Sequence, residues 1–163
     1  MIHDSQGNRW VCADIIETPP AGSVVAFPVP APAPPVLAAV QASAVFDGTS
    51  TAGVYGRIDF FQATPTSRTV ITIQIMGILG SDDRGFGQMH VHERRRVDAD
   101  PNGACSASAV GGHFNPTSQT GPCTPIDLAR CEIGDISGKH GALTGSSLAV
   151  QYQDDNLPLS GPN

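Results

Sequence analysis

The sequence lacks a long apolar run, a net positive charge and any sustained helical period. No stretch is both long and apolar enough to span a bilayer. The most apolar segment, Val24 to Phe46, carries five prolines and suits a linker better than a membrane helix. A net charge of −6 argues against a general nucleic-acid binder. The single basic run, Arg94 to Arg96, reads as a solvated loop. The first residues, "MIHDSQGN", are polar, so a signal peptide is not expected in this chain.

What is present is turn chemistry and short β-type runs. With 18 glycines and 14 prolines, and with Val, Ile and Thr clustered, the composition is that of an all-β domain with many turns. Its 163 residues suit one domain, or one domain and a piece of another. "QASAVF", "GVYGRIDFFQ" and "TVITIQIMGI" alternate at period two, "GQMHVHE" reads as a fourth strand, and "SSLAVQYQ" as a last one. Strands at this spacing suggest a β-sandwich or barrel. Residues 1–17 form a small block of their own, and the Pro/Ala-rich stretch over 18–38 favours an extended, semi-rigid spacer. Four cysteines in so small a domain point to disulfides and an oxidising compartment, with three pairings open.

The chemistry concentrates on histidine. His90 and His92 are one residue apart in a period-two run, so in a strand both point to one face with Cα atoms roughly 6.5 Å apart. His113 sits in the Gly-rich "GGHFNP", where core packing does not explain a histidine. Three imidazoles suit zinc, copper, iron or nickel, so ligand type alone leaves the metal open. A zinc hydrolase using three histidines and a water is one such reading.

Taken together, "GFGQMHVHE", "NGACSASAVGGHFNP" and "CEIGDISGKHG" resemble the Cu/Zn superoxide dismutases in order and spacing, from about residue 39 to the end. The resemblance implies a Greek-key β-barrel or sandwich, copper held by His90, His92 and His113, and disproportionation of superoxide to oxygen and hydrogen peroxide. His113 matches the family's bridging histidine, which takes up and returns a proton. The two zinc histidines of the family fall here at Gly121 and Glu132. Only Asp135 remains, so zinc is not expected to find a closed site. That pattern resembles the copper-only branch of fungal and oomycete secreted proteins. It implies that Glu132 orients His113 and that Asp135 supports the site or braces its loop.

The family's fourth copper histidine ends an apolar strand near the C-terminus, whereas this sequence reads "LPLSGPN" where that strand should begin. Its opening, "MIHDSQGNRWVCADI", resembles the family's ending instead. On that match His3 is the fourth ligand, Arg9 the arginine that guides the anion, and Cys12 the half-cystine. The simplest account of the order is a slice of a tandem array: residues 1–17 end one repeat, 18–38 link, and 39–163 begin the next, lacking its last strands. The alternative is a circular permutant closing on itself, for which about twenty extended residues at roughly 3.1 Å each reach far enough. With closure, within a chain or between chains, Cys12 would pair with Cys105, leaving Cys123 and Cys131 to close a short loop. His140 in "SGKHG" reads as a loop brace, while Phe114 to Pro116 and Gly134 shape loops. Superoxide, neighbouring repeats or another copy are the expected partners, and the cell surface or exterior the expected location. A surface protein with a degenerate copper site is the non-enzymatic alternative.

Overall fold

The computed structural model describes residues 1–4, 9–18, 39–49, 53–77, 86–143 and 147–160. In chain order the elements are β1 (Ile2–Asp4), β2 (Arg9–Val11), β3 (Ile15–Glu17), β4 (Val40–Asp47), β5 (Tyr55–Gln62), β6 (Thr69–Met76) and β7 (Phe86–Met89). Two short helices, α1 (Ala107–Val110) and α2 (Ile136–His140), flank a 3-10 turn at Leu128–Arg130, and β8 (Ser147–Asp154) follows. The strands form two antiparallel sheets, ordered β3-β4-β5-β6-β8 and β2-β1-β7. The architecture is the all-β sandwich that the alternation predicts.

Alternation sets the large sheet. Ala42, Ala44 and Phe46 of β4, Ile58 and Phe60 of β5, and Ile71, Ile73 and Ile75 of β6 all face inward and are buried. Register aligns them in rows: Ala44 lies opposite Ile58 and Ile58 opposite Ile73, while Ala42 faces Phe60 and Phe60 faces Ile71. Small residues of β4 therefore leave room for large ones of β5. Ile2, Val11 and Met89 of the small sheet close the same core. Each large aliphatic side chain buried there contributes about 1.5–3 kcal/mol.

Residues 1–17 supply strands to both sheets. β1 lies between β2 and β7, with Ile2 opposite Met89, and β3 pairs along β4 with Ile15 opposite Ala44. A disulfide joins Cys12 to Cys105, and a second joins Cys123 to Cys131. The expected spacer lies outside the described residues apart from Thr18, whose amide donates to the Gln41 carbonyl at 2.7 Å. No helix among the described residues is long and apolar enough to cross a membrane.

Two expectations change in detail. The strand expected over "GQMHVHE" ends at Met89, because the Val91 amide turns out of the sheet to the Gly134 carbonyl at 2.9 Å. The loop-rich stretch beyond it contains α1, the 3-10 turn and α2, each too short to show a helical period.

β8 ends at Asp154, which is buried and pairs with the equally buried Lys139 ammonium at 2.6 Å. Burial pushes the Asp154 carboxyl upward, but His140, Lys139 and the Asn156 amide outweigh it and hold the group below its ordinary 3.8. A depressed folded value stabilises fully above the unfolded pKa and withdraws that stability as pH falls through the folded one. Urea denaturation should therefore lose stability steeply below about pH 4 in the native chain. Lys139→Met/Asp154→Leu, which lacks the pair, should lose less over the same range; equal losses would show that the pair does not contribute.

Candidate metal centre

β1 and β7 run side by side and bring the first two histidines together. Met1 and His90 continue their ladder, with the His90 amide donating to the Met1 carbonyl at 2.9 Å and the Met1 nitrogen to the His90 carbonyl at 2.6 Å. His3 and His90 are both buried, with ring centroids 5.0 Å apart. Past His90 the backbone crosses to the loops, where His92 and His113 form an isolated antiparallel bridge.

Gly134 makes that crossing possible. Its carbonyl accepts the Val91 amide at 2.9 Å, its amide donates to Phe114 at 2.8 Å, and the Phe114 amide donates to Val91 at 2.9 Å. A β-carbon at Gly134 would lie 2.4 Å from the Val91 oxygen, so the three segments can meet only at a glycine.

The four rings gather tightly. Ligating nitrogens of His3, His92 and His113 lie within 4.8 Å of one another. His90 stands beside this trio with its ring stacked on His113, centroids 3.9 Å apart. His90 and His92, expected on one strand face, have centroids 6.5 Å apart at nearly right angles.

Acceptors behind three of the rings decide which nitrogen faces inward. His92 Nδ1 meets the Gly111 carbonyl at 3.3 Å; a carbonyl only accepts, so Nδ1 carries the proton and Nε2 keeps its lone pair. His113 Nδ1 meets Glu132 Oε2 at 2.6 Å. His90 Nε2 meets Asp135 Oδ1 at 3.3 Å. The inward atoms, His90 Nδ1 and His92 Nε2, are buried and have no hydrogen-bond partner among the described residues. Lone pairs buried in this way cost free energy unless something electrophilic takes them, and a late first-row metal ion fits both their number and their softness. Burial, the charge of the amino terminus and the neighbouring His113 and Arg9 push His92 down to about 4, so its imidazole is neutral. A neutral imidazole is the ligating form.

Arg9 is held beside the same loop. Its Nη2 donates to the Gly111 carbonyl at 3.2 Å and its Nη1 to the Cys105 carbonyl at 3.4 Å, and the residue is exposed. Gly111 thus receives both His92 and Arg9. It has φ +76°, a conformation that favours glycine. Gly121, one of the two zinc-histidine positions in the family pattern, faces the Arg130 side chain. Glu132 and Asp135 already serve His113 and His90. His140 stays apart from the cluster: its Nε2 meets Asp154 at 3.1 Å and its ring stacks on Tyr152.

Sequence reasoning missed Lys139 and Ser137, and read Asn115 only as part of a loop-shaping stretch, not as a partner of Glu132. Lys139 is buried, Ser137 Oγ accepts the Met89 amide at 2.6 Å, and Asn115 Nδ2 reaches Glu132 Oε1 at 3.3 Å. No local signal marks them, since each acts through a partner distant in sequence or through the loop conformation.

No protein-family model matches the chain. It is 36% identical over 119 residues to a cell surface Cu-only superoxide dismutase 5 of Candida albicans, covering 72% of this chain and 47% of that protein. It is also 36% identical over 127 residues to the superoxide dismutase [Cu-Zn] of Saccharomyces cerevisiae, covering 76% of this chain and 71% of that one. The chain spans about half the length of the cell-surface relative. A solved structure of a mutant Candida albicans superoxide dismutase 5 superposes with TM-score 0.59 at 27% identity, over 76% of this chain and 72% of that one.

Substituting Gly134→Ala should force the Val91, Phe114 and Gly134 segments apart. Overpacking of this kind costs about 1–3 kcal/mol. Urea denaturation checks the loss, and histidine ring NMR should show His92 and His113 shifted while β4–β6 amides stay in place. A variant of native stability with unmoved rings would remove Gly134 from this role.

Proposed function

This chain belongs to the Cu/Zn superoxide dismutase family, and from that premise we propose that it is a copper-only superoxide dismutase domain. The observation that carries the reading is the pair of buried, unpartnered ring nitrogens, His90 Nδ1 and His92 Nε2, beside the His3–His113 cluster. His3, His90, His92 and His113 would hold copper, while Glu132 and Asp135 are carboxylates already engaged with two of those rings. When bound, copper supplies the one-electron couple that turns two superoxide anions and two protons into oxygen and hydrogen peroxide.

The remaining work falls to the chain's own groups. His113 takes a proton at Nε2 and passes it on. Glu132 at its Nδ1 favours that step, because a carboxylate behind the ring stabilises the imidazolium formed when both nitrogens are protonated. Arg9 draws the anion in. Its exposed guanidinium opposes the repulsion of a chain with net charge −6.

Residues 1–17 complete the site from within the chain in this reading; a preceding repeat or a second copy is the other source of His3. The Candida albicans relative is named as a cell surface protein, and we extend an extracellular or surface location to this chain.

Copper loading followed by EPR, with His3→Ala alongside, tests the reading. A tetragonal four-nitrogen signal is expected, altered in His3→Ala together with a loss of dismutation. The copper affinity should fall by roughly 10–100-fold or more, since that is what even an outer partner of a ligand contributes. Zinc retained without a copper signal would overturn it, and copper bound without dismutation would leave a surface copper-binding domain.

Arg9→Gln should bind copper normally but lower kcat/KM by about tenfold, the low end of electrostatic focusing. Its rate should also depend less on ionic strength than that of the native chain. Stopped-flow decay of superoxide at two salt concentrations decides; an unchanged rate and salt slope would relieve Arg9 of the role.

A further inference from the structure

Lys139 is an unusual residue for an interior. Among the described residues no other lysine or arginine is buried. Its ammonium donates to the Ile133 carbonyl at 2.8 Å and pairs with Asp154 Oδ2 at 2.6 Å. Ile133 lies between Glu132 and Asp135, so the ammonium grips the four-residue stretch that carries both carboxylates behind His113 and His90.

The rest of that stretch is tied to the same helix. Asp135 caps α2, its Oδ1 accepting the Gly138 amide at 2.7 Å, and that same oxygen faces His90 Nε2 at 3.3 Å. The Lys139 amide in turn approaches the Asp135 carbonyl at 3.3 Å. Asp154 is fixed independently by the Asn156 amide at 2.8 Å and by His140 at 3.1 Å. Asn156 extends the hold through its side chain to the Leu128 carbonyl at 2.9 Å, inside the loop closed by Cys123 and Cys131. The buried pair therefore joins β8, α2 and the disulfide loop at one point beneath the site.

A buried ion pair is poor value as a stabiliser, since apolar residues of like volume often do as well or better. What it provides is a fixed position, through directional hydrogen bonds that an apolar pair cannot make. Carboxylates behind metal-binding imidazoles set ring orientation and basicity. Whatever fixes those carboxylates then acts on the metal.

We propose that Lys139, paired with Asp154, is the positioning residue that holds Glu132 against His113 and Asp135 against His90, and so sets the geometry and affinity of the centre. The inference rests on reading that centre as a copper site.

The test uses the full chain and two readouts: the Cu(II) EPR spectrum and the copper Kd from chelator competition. Lys139→Met alone strands a buried carboxylate and lowers stability whatever the role, so the decisive variant is Lys139→Met/Asp154→Leu. It removes both charges at similar volume, and urea denaturation gives its stability. Expected are a folded protein, a shifted copper hyperfine pattern and a Kd weaker by about tenfold, the lower end for groups that support ligands. A native spectrum with Kd within about twofold would overturn the proposal and leave the pair as packing. Should the double variant fail to fold, Lys139→Arg keeps the charge but displaces its donors, and the same two readouts decide in the same way. A native chain that binds no copper refutes the copper reading itself, a result distinct from native-like copper binding by the variants.

Discussion

An imidazole ligates a metal only through a nitrogen free of its proton, so this centre depends on what stands behind each ring. Gly111 offers a carbonyl to His92, Glu132 a carboxylate to His113, and Asp135 a carboxylate to His90. These acceptors come from two loops, and the loops meet the histidine segment through the backbone contacts of Val91, Phe114 and Gly134. The sheets supply the rigid base; the backs of the rings determine what the inward nitrogens can do. Because the Gly111 carbonyl also receives Arg9, ring orientation and the position of the guanidinium are one constraint. A side chain at Gly111 would strain a backbone held at φ +76° and disturb both together.

Much of this was legible before any coordinates. Period-two alternation placed β4, β5, β6 and β8, since a half-buried strand writes its register into the order of residues. The His-x-His pair and the isolated His113 were visible because histidine in a Gly-rich loop has no packing purpose. His3 was visible only through the family resemblance. Its strand is three residues long and pairs with β7, more than eighty residues away, and a long-range pairing leaves no local period. The same reason hid the end of β7, where a carbonyl from Gly134 replaces a strand partner. Lys139 was hidden by its own chemistry. In "SGKHG" a lysine reads as exposed, and only the fold reveals the carbonyl and carboxylate that let it be buried.

The carboxylates raise an electrostatic question that geometry alone does not answer. Glu132 and Asp135 add negative charge close to a centre whose substrate would be an anion, on a chain already at −6. At short range in a partly buried setting, such charges oppose an incoming anion by several kcal/mol unless offset. Lys139 interacts favourably with Asp135, yet Asp154 neutralises it directly, so the buried pair contributes position more than net charge. The rings absorb part of the carboxylates' charge, since each donates its N–H to the carboxylate behind it and draws negative charge into the imidazole. What remains must be met from the open side. There Arg9 lies exposed, anchored by two carbonyls that cannot neutralise it. A guanidinium held by neutral acceptors keeps its full charge for the approaching anion, whereas one paired with a carboxylate would have spent it. On the proposed copper reading, the anchoring of Arg9 on Gly111 and Cys105 is therefore the counterpart of the carboxylates behind the rings: one side would set the basicity of the ligands, and the other would restore the attraction that this setting removes.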